Sequence, residues 1–183
     1  MANYGVSNST ATAGSAQLGI GSSYSNQIII APSSGALVSN PAATGLRRGK
    51  IYDILIGTNG TPADNFIEWD LCRATVGTTL TWVGSVSSVS SAYALDFADL
   101  GFNAFVTINT TAGSSAASIA TAQPFYVGVN QRASYRWVAA PGSEIVYPAV
   151  SSAVSGGGNG VALRARSAGY TGTVTGTILF TEQ

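Results

Sequence analysis

Histidine is absent from this chain, and cysteine, methionine and lysine occur once each. Each scarcity removes a class of chemistry. Without histidine there is no Ser-His-Asp or Cys-His nucleophile, and no imidazole to hold a transition metal. A serine–lysine nucleophile would rest on Lys50 alone, and no Gly-x-Ser-x-Gly elbow exists to present the serine. A single cysteine, Cys72, rules out an intrachain disulfide, and within its apolar run it reads as a small buried hydrophobe.

Charge is equally scarce. Eight basic and eight acidic residues in 183 cancel, so 9% of the chain is charged against about a quarter in an ordinary domain. Seven scattered arginines do not form the cationic stripe that nucleic acid needs. A surface this neutral takes its solubility from hydroxyls and amides and self-associates easily. No apolar run approaches the ~18 residues of a membrane span. Met1–Ser7 has neither the basic region nor the apolar stretch of a signal peptide. The expectation is a protein made in a cytoplasm and packed against neighbours, with no nucleic-acid and no membrane partner.

What is present builds sheets. Small residues (Ala, Gly, Ser, Thr) are broken by short β-branched and aromatic runs, and 45% of residues are apolar, enough for one core. Residues 1–25 are small and polar and read as an extended N-terminal arm; residues 26–183 read as one β domain. Period-two runs predict strands at 26–31, 50–58, 65–75, 78–86, 102–109, 124–130, 133–139, 144–147, 161–166 and 171–181. In the second, Tyr52, Ile54 and Ile56 are expected on one face, with Ile51, Asp53 and Leu55 on the other. In the third, Ile67, Trp69 and Leu71 point inward and Glu68 and Asp70 outward. The runs at 65–75 and 78–86 read as a hairpin, and Ala140-Pro141-Gly142-Ser143 as a type II turn inside another. Ser91–Leu100 is the one helix candidate, with Tyr93, Phe97 and Leu100 on a shared face. About ten strands at this spacing give an all-β, antiparallel sandwich or barrel.

Candidate sites are few. Glu68 and Asp70 share a strand face, and Asp96 and Asp99 lie one helical turn apart, but carboxylates so placed are ordinary on sheets and helices. Asn59, Asp64 and Asn65 offer oxygens to calcium, yet such residues also make turns. The reading carries no metal, no cofactor and no catalytic residue. Three Asn-x-Ser/Thr triplets, at Asn8, Asn59 and Asn109, are expected by chance in so serine-rich a chain. Arg47, Arg48 and Lys50 form the densest charge cluster; Arg132 and Arg136 share a face, as do Arg164 and Arg166. Arginine is the cation favoured at protein interfaces, so these are expected to set contacts with a partner. Tyr135 and Trp137 fall on one strand face and are expected in the core.

The stretch Gln131–Ala149, followed by a glycine-rich loop and Gly160–Val174, resembles the small β-sandwich proteins that decorate or cement the heads of tailed bacteriophages. That resemblance implies a jelly-roll-like domain, a homotrimer, and a seat on the major capsid protein at the virion surface without catalysis. It assigns no contact residue; the N-terminal arm, through Tyr4 and Val6, and Arg47, Arg48 and Lys50 are nominated by their chemistry. The alternative is a receptor- or carbohydrate-binding module of a fibre or tail tip, which would expose aromatic rings. A subunit of the main shell or an appendage is the third reading.

Overall fold

A computed structural model of the chain describes residues 2–8, 19–20, 25–31, 49–59, 64–73, 92–96, 98, 105–108, 123–147, 161–167, 169 and 172–182. The strands are β1 Ala2–Ser7, β2 Gly19–Ile20, β3 Ser25–Ala31, β4 Gly49–Asn59, β5 Phe66–Arg73 and β6 Ala92–Ala94. They continue with β7 Phe105–Ile108, β8 Phe125–Asn130, β9 Tyr135–Val138, β10 Ile145–Tyr147, β11 Val161–Arg166 and β12 Gly172–Glu182. The fold is all-β, with two antiparallel sheets in a sandwich-like arrangement. The first sheet runs β10-β4-β12-β1-β6, with β9 also on β4 and β2 on β12; the second runs β7-β3-β11-β5-β8.

The pairings are nested. First and last strands pair (β1 with β12), then β3 with β11, β4 with β9 and β10, and β5 with β8. Two seams join these pairs side by side, β12 on β4 and β11 on β5. Most contacts among the described residues are therefore between residues far apart in sequence, and the core closes only when both β1 and β12 are in place.

Inward residues of both sheets form that core. Tyr4, Val6, Ile54, Ile56, Ile178 and Phe180 come from the first, and Ile28, Ile67, Trp69, Leu71 and Leu163 from the second. The rings of Tyr4 and Tyr147 both meet Phe180, with centroids 5.5 and 6.2 Å away. Asn8 stitches the sheets together. Its side chain donates to Gln27 Oε1 of β3 (3.0 Å) and to Val174 O of β12 (2.9 Å), and accepts from Gly176 N (2.9 Å). So complete a set of bonds on a buried amide gives Asn8 a structural role.

Four expectations are corrected. Residues 2–7 are not an arm: they form a strand between β12 and β6, with Tyr4 and Val6 at 0% exposure. Alternating Tyr4 and Val6 supply the inward face that a polar composition concealed. The rest of the expected arm lies outside the described residues, apart from Asn8, β2 and Ser25.

Residues 92–94 are strand, not helix. Gly5 faces Tyr93 across the pair, Leu95 N donates to Asn3 O at 2.9 Å, and Asp96 Oδ1 accepts from Ala98 N. Phe97 and Leu100 are outside the described residues.

The face assignment in β4 breaks at Tyr52. Ile51 pairs with Phe180 and Asp53 with Leu179, so Tyr52 is an extra residue in a β-bulge. Ile51 and Ile54 consequently both point inward at 0% exposure.

Finally, Pro141-Gly142 does not join a hairpin. The turn has the expected type II form, with Gly142 at φ 86° and Ser143 N bonded to Ala140 O. Yet β9 and β10 do not pair with each other; both run antiparallel to β4, one after the other. The turn is an excursion opposite the Tyr52 bulge, where Ala139 N bonds Tyr52 O. Likewise β5 is flanked by β11 and β8, and the expected hairpin partner at 78–86 lies outside the described residues.

Candidate functional site

Three of the five nominated contact residues fall among the described residues. Tyr4 and Val6 are in the core, and Arg47 and Arg48 lie outside the described residues. Lys50 is half-buried on the outer face of the first sheet, paired in register with Thr181 and Val146.

Three of the arginines nominated for contacts, Arg136, Arg164 and Arg166, pair with the chain's own carboxylates. On the outer face of the second sheet, Arg164 stands opposite Asp70 and Arg166 opposite Glu68. Arg164 Nε donates to Asp70 Oδ1 at 2.8 Å, with both side chains fully buried. Gln123 Nε2 adds a bond of 2.8 Å to Asp70 Oδ2. Arg166 Nε donates to Glu68 Oε2 at 2.6 Å, nearer the surface. The sequence placed both acids on one face and both arginines on another. The structure merges them into one ladder, which leaves Glu68 and Asp70 engaged as ion-pair partners. On the first sheet Arg136 Nε donates to Asp53 Oδ1 and Oδ2 at 3.1 Å each and closes over that carboxylate.

The other candidates resolve similarly. Asp64 Oδ1 accepts from Asn130 Nδ2 (2.9 Å) and Asn65 Nδ2 donates to Gly169 O (2.8 Å), so both hold loops together. Asp99, Asn109 and the side chain of Asn59 are outside the described residues. Cys72 is 1% exposed, and burial pushes its thiol up from 9.0 to about 11, against a smaller opposing pull from Arg164. Tyr135 and Trp137 do turn inward against Phe125 of the other sheet, centroids 6.2 Å away in each case. Tyr135 stays 38% exposed.

One cleft of about 470 Å³ opens where the turn after β8 passes β4 and β12. Its lining includes Thr58, Thr175, Gln131 and Arg132 and contains no carboxylate. Thr58 Oγ1 donates to Gln131 O, which pins the turn to β4.

Exposed apolar residues fall on both sheets. In register across the first sheet run Tyr93, Gly5, Leu179, Asp53 and Val138, and beside them Ser7, Thr177, Leu55 and Arg136. Tyr93, Val138 and Leu55 are each about half exposed. The second sheet exposes Phe66 and Tyr126, with Gly128 between them on the same face. Sequence reasoning missed both sets, because the bulge and the β6 pairing that align the first are not visible in any local pattern. Comparison with known proteins finds no match: no family model, no curated protein and no solved structure is similar to this chain.

Proposed function

We propose that the chain is a non-enzymatic virion structural protein that decorates or cements a phage capsid, binding the lattice of the major capsid protein as a trimer. The observation that carries this reading is the nested strand order. The orders β1-β12-β4-β9 in one sheet and β3-β11-β5-β8 in the other match those expected of an eight-stranded jelly roll, an architecture used by viral capsid and lectin domains, and that likeness supports the reading. β2, β6, β7 and β10 are additions to that order.

Architecture alone hosts many functions, so surface chemistry must agree. Zero net charge lets copies crowd on a shell without repulsion, and the internal ion pairs stiffen the sheets rather than recruit a charged ligand. Three equivalent weak contacts on one trimer become a single strong attachment.

A second reading, a carbohydrate-binding module of a fibre or tail tip, is favoured by the exposed rings of Phe66 and Tyr126. Purified protein mixed with undecorated heads and, separately, with a glycan array distinguishes the two. Saturable co-sedimentation with heads and no glycan hits is the expected result. Glycan binding without head binding replaces the first reading by the second.

A further inference from the structure

We infer that the cleft at the turn after β8 binds the carboxyl-terminal end of a peptide chain. The inference stands on the cleft alone and does not depend on the decoration reading. At about 470 Å³ the cleft lies within the ordinary range of small-ligand sites. Gly57 of β4 sits in its lining between Thr175 and Ser134. A Cβ on Gly57 would meet Thr175 Oγ1 at 3.4 Å and Ser134 Cβ at 3.7 Å. The glycine leaves open the space that a side chain would fill, and Leu55 adds an apolar wall.

Arg132 sets the charge of the ligand. Four arginine side chains are described, and three of them, Arg136, Arg164 and Arg166, grip the chain's own carboxylates. Arg132 is exposed at the cleft and has no carboxylate partner among the described residues. Asp64, on the adjoining loop, is engaged by Asn130 Nδ2 at 2.9 Å. One cation and no acid in the lining suit a single negative charge, and a guanidinium meets a carboxylate edge to edge.

Gln131 adds a second requirement. It lines the cleft, is 1% exposed, and neither its Oε1 nor its Nε2 has a hydrogen-bond partner among the described residues. An unpaired buried amide lowers stability, so a fold that keeps one beside a cleft holds a donor and an acceptor in reserve. A peptide group carries the matching acceptor and donor, and Ser134 and Thr175 offer hydroxyls nearby. A carboxylate next to an amide is the chemistry of a chain's last residue. Phosphate lacks the amide and brings excess charge.

The turn is fixed before any ligand arrives. Thr58 Oγ1 donates to Gln131 O, and Gln131 N to Asn65 O at 2.9 Å. Arg132 N donates to Asn130 Oδ1 and Ala133 N to Asn130 O, each at 2.9 Å. A backbone held at four points loses little freedom on binding.

The test is an NMR titration of the full chain with N-acetyl-alanyl-alanine, with its carboxyl-terminal amide, and with acetate, following the amide signals of Gly57 and Ser134. The acid is expected to bind with a Kd of about millimolar, and the amide and acetate about tenfold more weakly or worse. Arg132→Gln and Gly57→Val are each expected to lose about tenfold or more of the acid's affinity at an unchanged thermal midpoint. Gln131→Leu is expected to weaken binding while raising the midpoint, because it removes the unpaired amide. Should Gly57→Val fail to fold, the exposed Arg132→Gln carries the test. No binding of the acid, equal binding of the amide or of acetate, or full affinity in Arg132→Gln overturns the inference and leaves the decoration reading standing. Heads that do not bind the wild type overturn that reading instead.

Discussion

Arg164 and Asp70 occupy directly opposed positions on β11 and β5, and both side chains are fully buried. Removing one member leaves an uncompensated charge where water cannot reach it. Asp70→Ala is expected to lower unfolding free energy by about 3–5 kcal/mol. Replacing both by apolar residues of similar size is expected to come close to neutral. Arg136→Ala is expected to cost far less than Asp70→Ala, because that arginine is largely solvated. Urea unfolding of the four proteins checks the order.

Two glycines make an equally sharp contrast. A Cβ on Gly49 would collide with the ring of Tyr147, which is fully buried and has nowhere to move. Gly49→Ala is expected to destabilise by about 2–3 kcal/mol or prevent folding. A Cβ on Gly128 meets only Phe66, at 3.9 Å, and that ring is exposed. Gly128→Ala is expected to be neutral or to stabilise by up to about 1 kcal/mol, through reduced freedom of the unfolded chain. Thermal melts separate the two.

Cys72 sets a pH dependence with a definite sign. Its folded thiol ionises near 11 rather than 9.0, so between those values the native state holds a proton that the unfolded state releases. The contribution is complete below pH 9 and is lost as pH rises through 11, at up to about 1.4 kcal/mol per unit. Cys72→Ala is expected to flatten that decline relative to wild type. A thiol dye at pH 8 is expected to label the wild type only as fast as it unfolds.

Tyr4 tests the first strand. Because its ring packs on Phe180 inside the core, Tyr4→Ala is expected to cost about 3–5 kcal/mol, and deletion of residues 1–8 to abolish cooperative unfolding. A dispensable arm would leave the melting curve unchanged.

The sequence disclosed strands where alternation is strict and one face is buried, as in Ile67, Trp69 and Leu71. It failed where pairing overrides local pattern. Residues 2–7 look polar, yet lie between β12 and β6; residues 92–94 suit a helix, yet pair with β1. The Tyr52 bulge reversed the assignment of Ile51, since one inserted residue moves each later side chain to the other face. For the outer face of the first sheet, Lys50 was found by charge. Leu55, Tyr93 and Val138 were not, because they come from three strands aligned only by long-range register.

The most direct measurement is a cryo-electron microscopy reconstruction of heads saturated with the purified protein. Ordered density is expected at repeated lattice positions, three copies clustered. Heads that remain bare at saturating protein contradict the decoration reading outright.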